Sequence, residues 1–199
     1  SFFIVAALIN KNSNITLENI NINPTRSGFL IALERMGANI NIFNQKNRAG
    51  EIVADINVKS SELNGCELDE QMAKLMIDEF PILSIAASQA NSPSYFKGLD
   101  ELRIKESDRL ELINDNLNRC GHYSKIKDND LFIDPTKNKQ IINSAIRTDF
   151  DHRIAMSFAV LGSKIGKLQI NESDSINTSF PSFKEQFNKA GGNLIWKKL

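Results

Sequence analysis

Little in this chain of 199 residues is given over to the residue types that mark special chemistry. It has two cysteines, Cys66 and Cys120, far apart and without CxxC spacing. That excludes a disulfide scaffold and a thiolate metal site, and it fits reduced thiols in a cytoplasmic protein. Neither cysteine has an evident base partner, which argues against a nucleophilic role. There are two histidines, His122 and His152, and no metal-ligand spacing, so no metal is expected. A P-loop and a dinucleotide fingerprint are both absent. Lys plus Arg and Asp plus Glu each total 24, so no excess of one sign recommends a nucleic-acid or anionic-membrane partner. The longest apolar run, Phe2 to Ile9, is too short to span a bilayer. It also lacks the flanks of a signal peptide. The chain opens on Ser1 already inside that run, and it reads as a piece of a longer protein.

What is present is a repeated plan. Three segments are apolar nearly all round: Phe2 to Ile9, Ile77 to Ala90 and His152 to Ile165. Helices without a polar face are buried helices. Each is followed by a short strand-like run, at Ile15 to Ile20, Tyr95 to Leu99 and Leu168 to Asn171. An amphipathic helix comes next: Arg26 to Met36, Glu106 to Cys120, Pro181 to Ala190. Glycine follows each of them, at 37, 121 and 191, as a left-handed cap requires. A strand is expected after each cap, at Asn39 to Phe43, Ser124 to Lys127 and Asn193 to Lys197. The first two units add a hairpin partner, Ile52 to Val58 and Leu131 to Asp134. The fold expected is therefore one α/β lobe, residues 1–199, of three similar units at roughly 1–60, 75–135 and 150–199. Sheets lie outside and helices are hidden inside. A generic α/β sandwich is the alternative.

Charge sits where a structure alone does not ask for it. Asp78 and Glu79 precede Phe80-Pro81-Ile82-Leu83. Carboxylates suit a first helical turn, and at the edge of an apolar helix one of them is also a candidate base. In Leu102-Arg103-Ile104-Lys105-Glu106-Ser107-Asp108-Arg109-Leu110, Ser107 or Glu106 could cap a helix. Lys105 and Arg109 then stand against the positive end of its dipole, which makes sense if an anion binds there. Local ion pairs, Lys105 with Glu106 and Asp108 with Arg109, are the plainer reading. The third buried helix opens Asp149-Phe150-Asp151-His152-Arg153, with Asp151 as its cap and Arg153 another cation in a first turn. Arg26 follows Asn23-Pro24-Thr25 in the first unit. Related units would bring these ends to one cationic face, with Asp78 and Glu106 among the cations. Such a face suits a phosphorylated or carboxylated metabolite. His122, just past a cap, is expected in solvent, and His152 in a structural role.

These stretches resemble the EPSP synthase family, the 3-phosphoshikimate 1-carboxyvinyltransferases. The resemblance rests on Met-Ile-Asp-Glu-Phe-Pro-Ile-Leu at 76–83, Leu-Arg-Ile-Lys-Glu-Ser-Asp-Arg-Leu at 102–110 and Asp-His-Arg-Ile-Ala-Met-Ser-Phe at 151–158. Asn-Pro-Thr-Arg-Ser-Gly at 23–28 and Thr-Ser-Phe-Pro-Ser-Phe at 178–183 add to it. It runs in order along essentially the whole chain. It implies the C-terminal lobe of a bacterial enzyme of the glyphosate-insensitive class, built of three βαβαββ units, with the N-terminal lobe and the first strand of this lobe absent. The implied reaction moves the enolpyruvyl group of phosphoenolpyruvate to the 5-hydroxyl of shikimate 3-phosphate and releases phosphate, without a cofactor or metal. The implied catalytic residues are Asp78 as base, Glu106 as proton donor and Lys105. Asp78 and Lys105 would bind shikimate 3-phosphate, and Arg109 and Arg153 phosphoenolpyruvate. Where many relatives carry a further lysine this chain has Thr178, and Glu101 stands where some have an asparagine contact. The full-length protein is expected to be a cytoplasmic monomer, with no nucleic-acid or membrane partner. The sister reading is a UDP-N-acetylglucosamine enolpyruvyl transferase. A non-catalytic, ligand-binding lobe is the third.

Overall fold

The computed structural model describes residues 1–23, 28–140 and 144–195. The first unit opens with α1 (Phe2–Ile9), then β1 (Asn14–Asn21), α2 (Gly28–Arg35), β2 (Asn39–Arg48) and β3 (Glu51–Lys59). Both β1 and β2 pair antiparallel with β3, giving the order β1-β3-β2. The second unit has β4 (Glu67–Leu68), α3 (Glu70–Lys74), α4 (Phe80–Ser88), β5 (Ser94–Phe96), α5 (Arg109–Arg119), β6 (Ser124–Lys127) and β7 (Asp130–Ile133). Its sheet runs β4-β5-β7-β6, with β4 parallel to β5. The third unit has β8 (Ser144–Ile146), α6 (His152–Ile165), β9 (Leu168–Ile170) and α7 (Phe183–Lys189), with β8 parallel to β9.

The three all-round apolar helices are the centre, as their composition requires. Every residue of α4 is buried. α1 and α6 pack against it and against each other. A single fully buried side chain such as Phe80 or Phe158 contributes about 1.5–3 kcal/mol, so these helices carry much of the stability. Pro81 stands in the first turn of α4, where its missing N–H breaks no helical bond. The amphipathic α5 buries Leu110, Leu112, Ile113 and Leu117 on one face. The glycines expected as caps have φ of 84° at Gly37, 80° at Gly121 and 101° at Gly191, a region costly for other residues.

Several expectations need correction. The second apolar helix ends at Ser88 rather than Ala90, and the strand after it at Phe96 rather than Leu99. The short opening strands β4 and β8 carry no periodic signal, and the repeat read from the sequence lacks them. With β4 and the short helix α3 the second unit reads β-α-α-β-α-β-β. No strand forms over 193–195, and the rest of the expected strand to Lys197 lies outside the described residues, as does Arg26. His122 is not in solvent. It is buried, 7% exposed, because Gly121 turns the chain inward. The His122 amide then donates to the Leu117 carbonyl, and Asn138 Nδ2 lies 2.8 Å from the ring's Nδ1. Burial pushes its pKa down.

Candidate functional site

The residues singled out in the sequence come from four places: a 3-10 turn (Ile77–Glu79) ahead of α4, the loop before α5, the start of α5 and the start of α6. The α5 helix begins later than its sequence suggested. Asp108, not Ser107 or Glu106, is the cap and accepts from the Glu111 amide. A 3-10 stretch (Asp100–Ile104) precedes it. Arg109 is therefore the first helical residue, while Lys105 and Glu106 lie in the approach. Asp151 caps α6 as expected, accepting from the amides of Arg153 and Ile154.

Arg109 is the hub. It is 1% exposed, an unusual place for a guanidinium unless it is fully paired. Its Nε donates to Asp151 Oδ2 at 2.7 Å and its Nη1 to Asp78 Oδ1 at 3.1 Å. Nη2 donates to Glu106 Oε2. Lys105 Nζ also reaches Asp78 Oδ1, at 3.4 Å. Arg153 closes the ring: Nη1 donates to the Asp78 carbonyl at 2.9 Å, Nη2 lies 3.8 Å from Asp78 Oδ2, and Nη1 lies 3.6 Å from Glu79 Oε1. All five residues named from the sequence thus stand in one connected network. The local pairs drawn from adjacency do not form the network; Asp108 pairs instead with Arg103 at 2.9 Å.

Two further members stand beside those five: Glu79, which the sequence offers as a candidate base together with Asp78, and Asp151, which the sequence marks only as a cap. Among the described residues the network joins three cations, Lys105, Arg109 and Arg153, to four carboxylates, Asp78, Glu79, Glu106 and Asp151. The cations are engaged by carboxylates.

The two neighbouring acids are driven apart. Burial alone would raise the Asp78 carboxyl, but Arg153, Lys105 and Arg109 outweigh it and hold the pKa below the ordinary value. For Glu79, burial prevails over Arg153, the Asp78 charge adds to it, and the pKa rises. Asp78 is therefore an ionised carboxylate at neutral pH, 43% exposed and able to reach a ligand. His152 beside the network is half-buried, and burial lowers its pKa. Thr178 lies exposed at the end of a 3-10 helix (Ser173–Thr178), bonded to its own turn at Ser175 O. Burial raises the Cys66 thiol to about 11, which leaves no thiolate near neutrality.

The sequence profile of the EPSP synthase (3-phosphoshikimate 1-carboxyvinyltransferase) family matches residues 1–187. The 3-phosphoshikimate 1-carboxyvinyltransferase of Petrotoga mobilis is 44% identical over 191 residues, which are 95% of this chain and 44% of that protein. That of Carboxydothermus hydrogenoformans is 43% identical over 190 residues, with the same shares. A solved EPSP synthase from Acinetobacter baumannii superposes with a TM-score of 0.89 at 38% identity, over 95% of this chain and 44% of that one. The enolpyruvyl transferase NikO from Streptomyces tendae, at 14% identity and a TM-score of 0.73, shares the fold, over 96% of this chain and 42% of that one. The chain thus spans less than half the length of these relatives.

Proposed function

This chain belongs to the EPSP synthase family, and from that premise we propose that it is the C-terminal lobe of an enzyme transferring the enolpyruvyl group of phosphoenolpyruvate to shikimate 3-phosphate. The observation that carries the reading is the network itself. One ionised carboxylate, Asp78, stands within reach of Lys105, Arg109 and Arg153. A carboxylate that must take a hydroxyl proton, a lysine and two arginines beside it are what this group transfer needs from one side of a site.

The roles are those the family's motifs imply for these positions, and the exposure and charge of the side chains support them. Asp78 binds the acceptor's hydroxyls and takes the proton from the attacking one. Glu106 is 53% exposed and donates a proton to the enolpyruvyl methylene. That protonation makes the adjacent carbon electrophilic, and the acceptor oxygen attacks it. Lys105, beside Asp78, contacts the acceptor and assists the acid–base steps. Arg109 and Arg153 hold the phosphate of phosphoenolpyruvate; its departure, together with return of a methyl proton to Glu106, restores the double bond and completes the transfer. Guanidinium groups suit this because they meet phosphate oxygens in pairs. The remaining phosphate and hydroxyl contacts belong to the other lobe, without which this one is inert. Thr178 in place of the lysine of other relatives goes with the glyphosate-insensitive class.

Calorimetric binding of shikimate 3-phosphate to the full-length protein tests the acceptor assignment, with inorganic phosphate and phosphoenolpyruvate as controls. Lys105→Ala is expected to weaken the sugar phosphate by about 10–100-fold, the loss of one charge-assisted hydrogen bond. Unchanged binding in Lys105→Ala contradicts the role of Lys105. No binding by the unsubstituted protein contradicts the acceptor.

A further inference from the structure

We infer that Asp151 is a positioning residue of this site, a buried carboxylate that holds Arg109 and Arg153 in register for the phosphate of phosphoenolpyruvate. The inference rests on the function just proposed. Asp151 is 0% exposed, and its two oxygens have separate tasks. Oδ1 accepts from the backbone amides of Arg153 at 2.8 Å and Ile154 at 3.2 Å, which fixes the first turn of α6 and with it the root of Arg153. Oδ2 accepts from Arg109 Nε at 2.7 Å and from Ser107 Oγ at 3.0 Å. One side chain thus ties the start of α6 to the start of α5. A helix cap by itself needs neither charge nor burial; serine or asparagine serves as well.

The three carboxylates around Arg109 are not equivalent. Asp78 and Glu106 are 43% and 53% exposed, and both hold the Nη groups. An incoming phosphate can take their place at low cost, because the displaced carboxylates remain in contact with water. Asp151 cannot be displaced that way. On ligand binding, Nη1 and Nη2 exchange partners while Nε stays tied, so the guanidinium keeps its plane. A side chain locked from behind loses less freedom when it binds.

The backbone leading to Asp151 is set up for this at a cost. Asp149 and Phe150 both have left-handed φ, 48° and 61°. That is unfavourable for an aromatic residue, and Phe150 is 75% exposed, so its own packing does not repay the strain. The segment is pinned from two sides instead. Asn116, fully buried on α5, gives Nδ2 to the Arg147 carbonyl at 2.7 Å and accepts the Arg147 amide at 3.0 Å. Thr148 Oγ1 donates at 3.0 Å to the Asn171 carbonyl and lies 3.0 Å from Glu172 Oε2. These contacts deliver Asp151 to one place, and Asp151 delivers two arginines.

The test is Asp151→Asn in the full-length protein, assayed for phosphate release at varied phosphoenolpyruvate and varied shikimate 3-phosphate. The amide keeps a carbonyl oxygen for the two backbone N–H groups, so the cap survives. It turns an NH2 toward Arg109 Nε and removes the charge. The KM for phosphoenolpyruvate is expected to rise about tenfold or more, and that for shikimate 3-phosphate to stay within about threefold. Ser107→Ala, which leaves every charge in place, is expected to move the KM for phosphoenolpyruvate in the same direction by about two- to fivefold. It gives the answer if the asparagine variant does not fold. An unchanged KM for phosphoenolpyruvate in the folded variants, or both KM values rising together, overturns the positioning role while leaving the proposed function standing. An unsubstituted protein without turnover overturns that function, and this inference falls with it.

Discussion

Asp78→Ala in the full-length protein is expected to lower kcat by about 10²–10⁴-fold, the range for removing a positioned general base. Its effect on folding is expected to be small. The Asp78 side chain is 43% exposed, and pairs of that kind contribute about 0–1 kcal/mol to stability. Arg109 keeps two further carboxylates and Arg153 keeps Glu79. The variant should therefore fold and melt much like the parent while turning over far more slowly. Because Asp78 is held ionised well below neutrality, Asp78→Asn is expected to behave like the alanine variant rather than to rescue it. Near-normal turnover in either variant contradicts the assignment of Asp78 as base.

Arg109→Ala acts on folding before it acts on chemistry. The decisive pair is Arg109 with Asp151, since both side chains are buried, 1% and 0% exposed. Removing the arginine strands a carboxylate in the interior, for which breaking a buried pair costs about 3–5 kcal/mol. At roughly 2–4 °C per kcal/mol for a chain of this size, the melting temperature should fall by roughly 6–20 °C. The pairs to Asp78 and Glu106 add less, because those carboxylates, 43% and 53% exposed, return to water when the arginine is removed. The double substitution Arg109→Ala/Asp151→Ser is expected to recover part of the loss, because it removes the stranded charge and keeps a helix cap. A melting temperature within about 2 °C of the parent in Arg109→Ala contradicts the description of this pair.

What could be read from the sequence was what depends on local pattern. The sequence bounds the helix His152–Ile165 as the structure does, because an apolar run behind an aspartate cap has few other solutions. The three cap glycines were legible because L side chains avoid the φ they adopt. Two-residue β4 and three-residue β8 were not legible, since a period cannot show in so few residues. His122 was misplaced because nothing adjacent marks it as buried; Asn138, 16 residues on, supplies its partner.

The site divides the same way. Which residues would carry charge to helix starts was visible, and the family resemblance named all five. Their partners were not. Arg109 lies 31 residues from Asp78 and 42 from Asp151, and only the tertiary fold closes those gaps. Adjacency pointed instead to Asp108, which the structure gives to Arg103. Two of the three expected cationic helix starts, those of α5 and α6, converge with Asp78 and Glu106 among the cations as expected, and Glu79 and Asp151 join them; the third, at Arg26, lies outside the described residues. One signal could have found Asp151: a cap aspartate between two arginine-bearing helix starts has more acceptor capacity than a cap uses.

The most direct test of the enzyme reading is phosphate release from phosphoenolpyruvate by the full-length protein, with shikimate 3-phosphate as acceptor and, separately, with UDP-N-acetylglucosamine. Release that depends on shikimate 3-phosphate and is not supported by the nucleotide sugar is the predicted result. Release with the nucleotide sugar alone, or with neither acceptor, would contradict it.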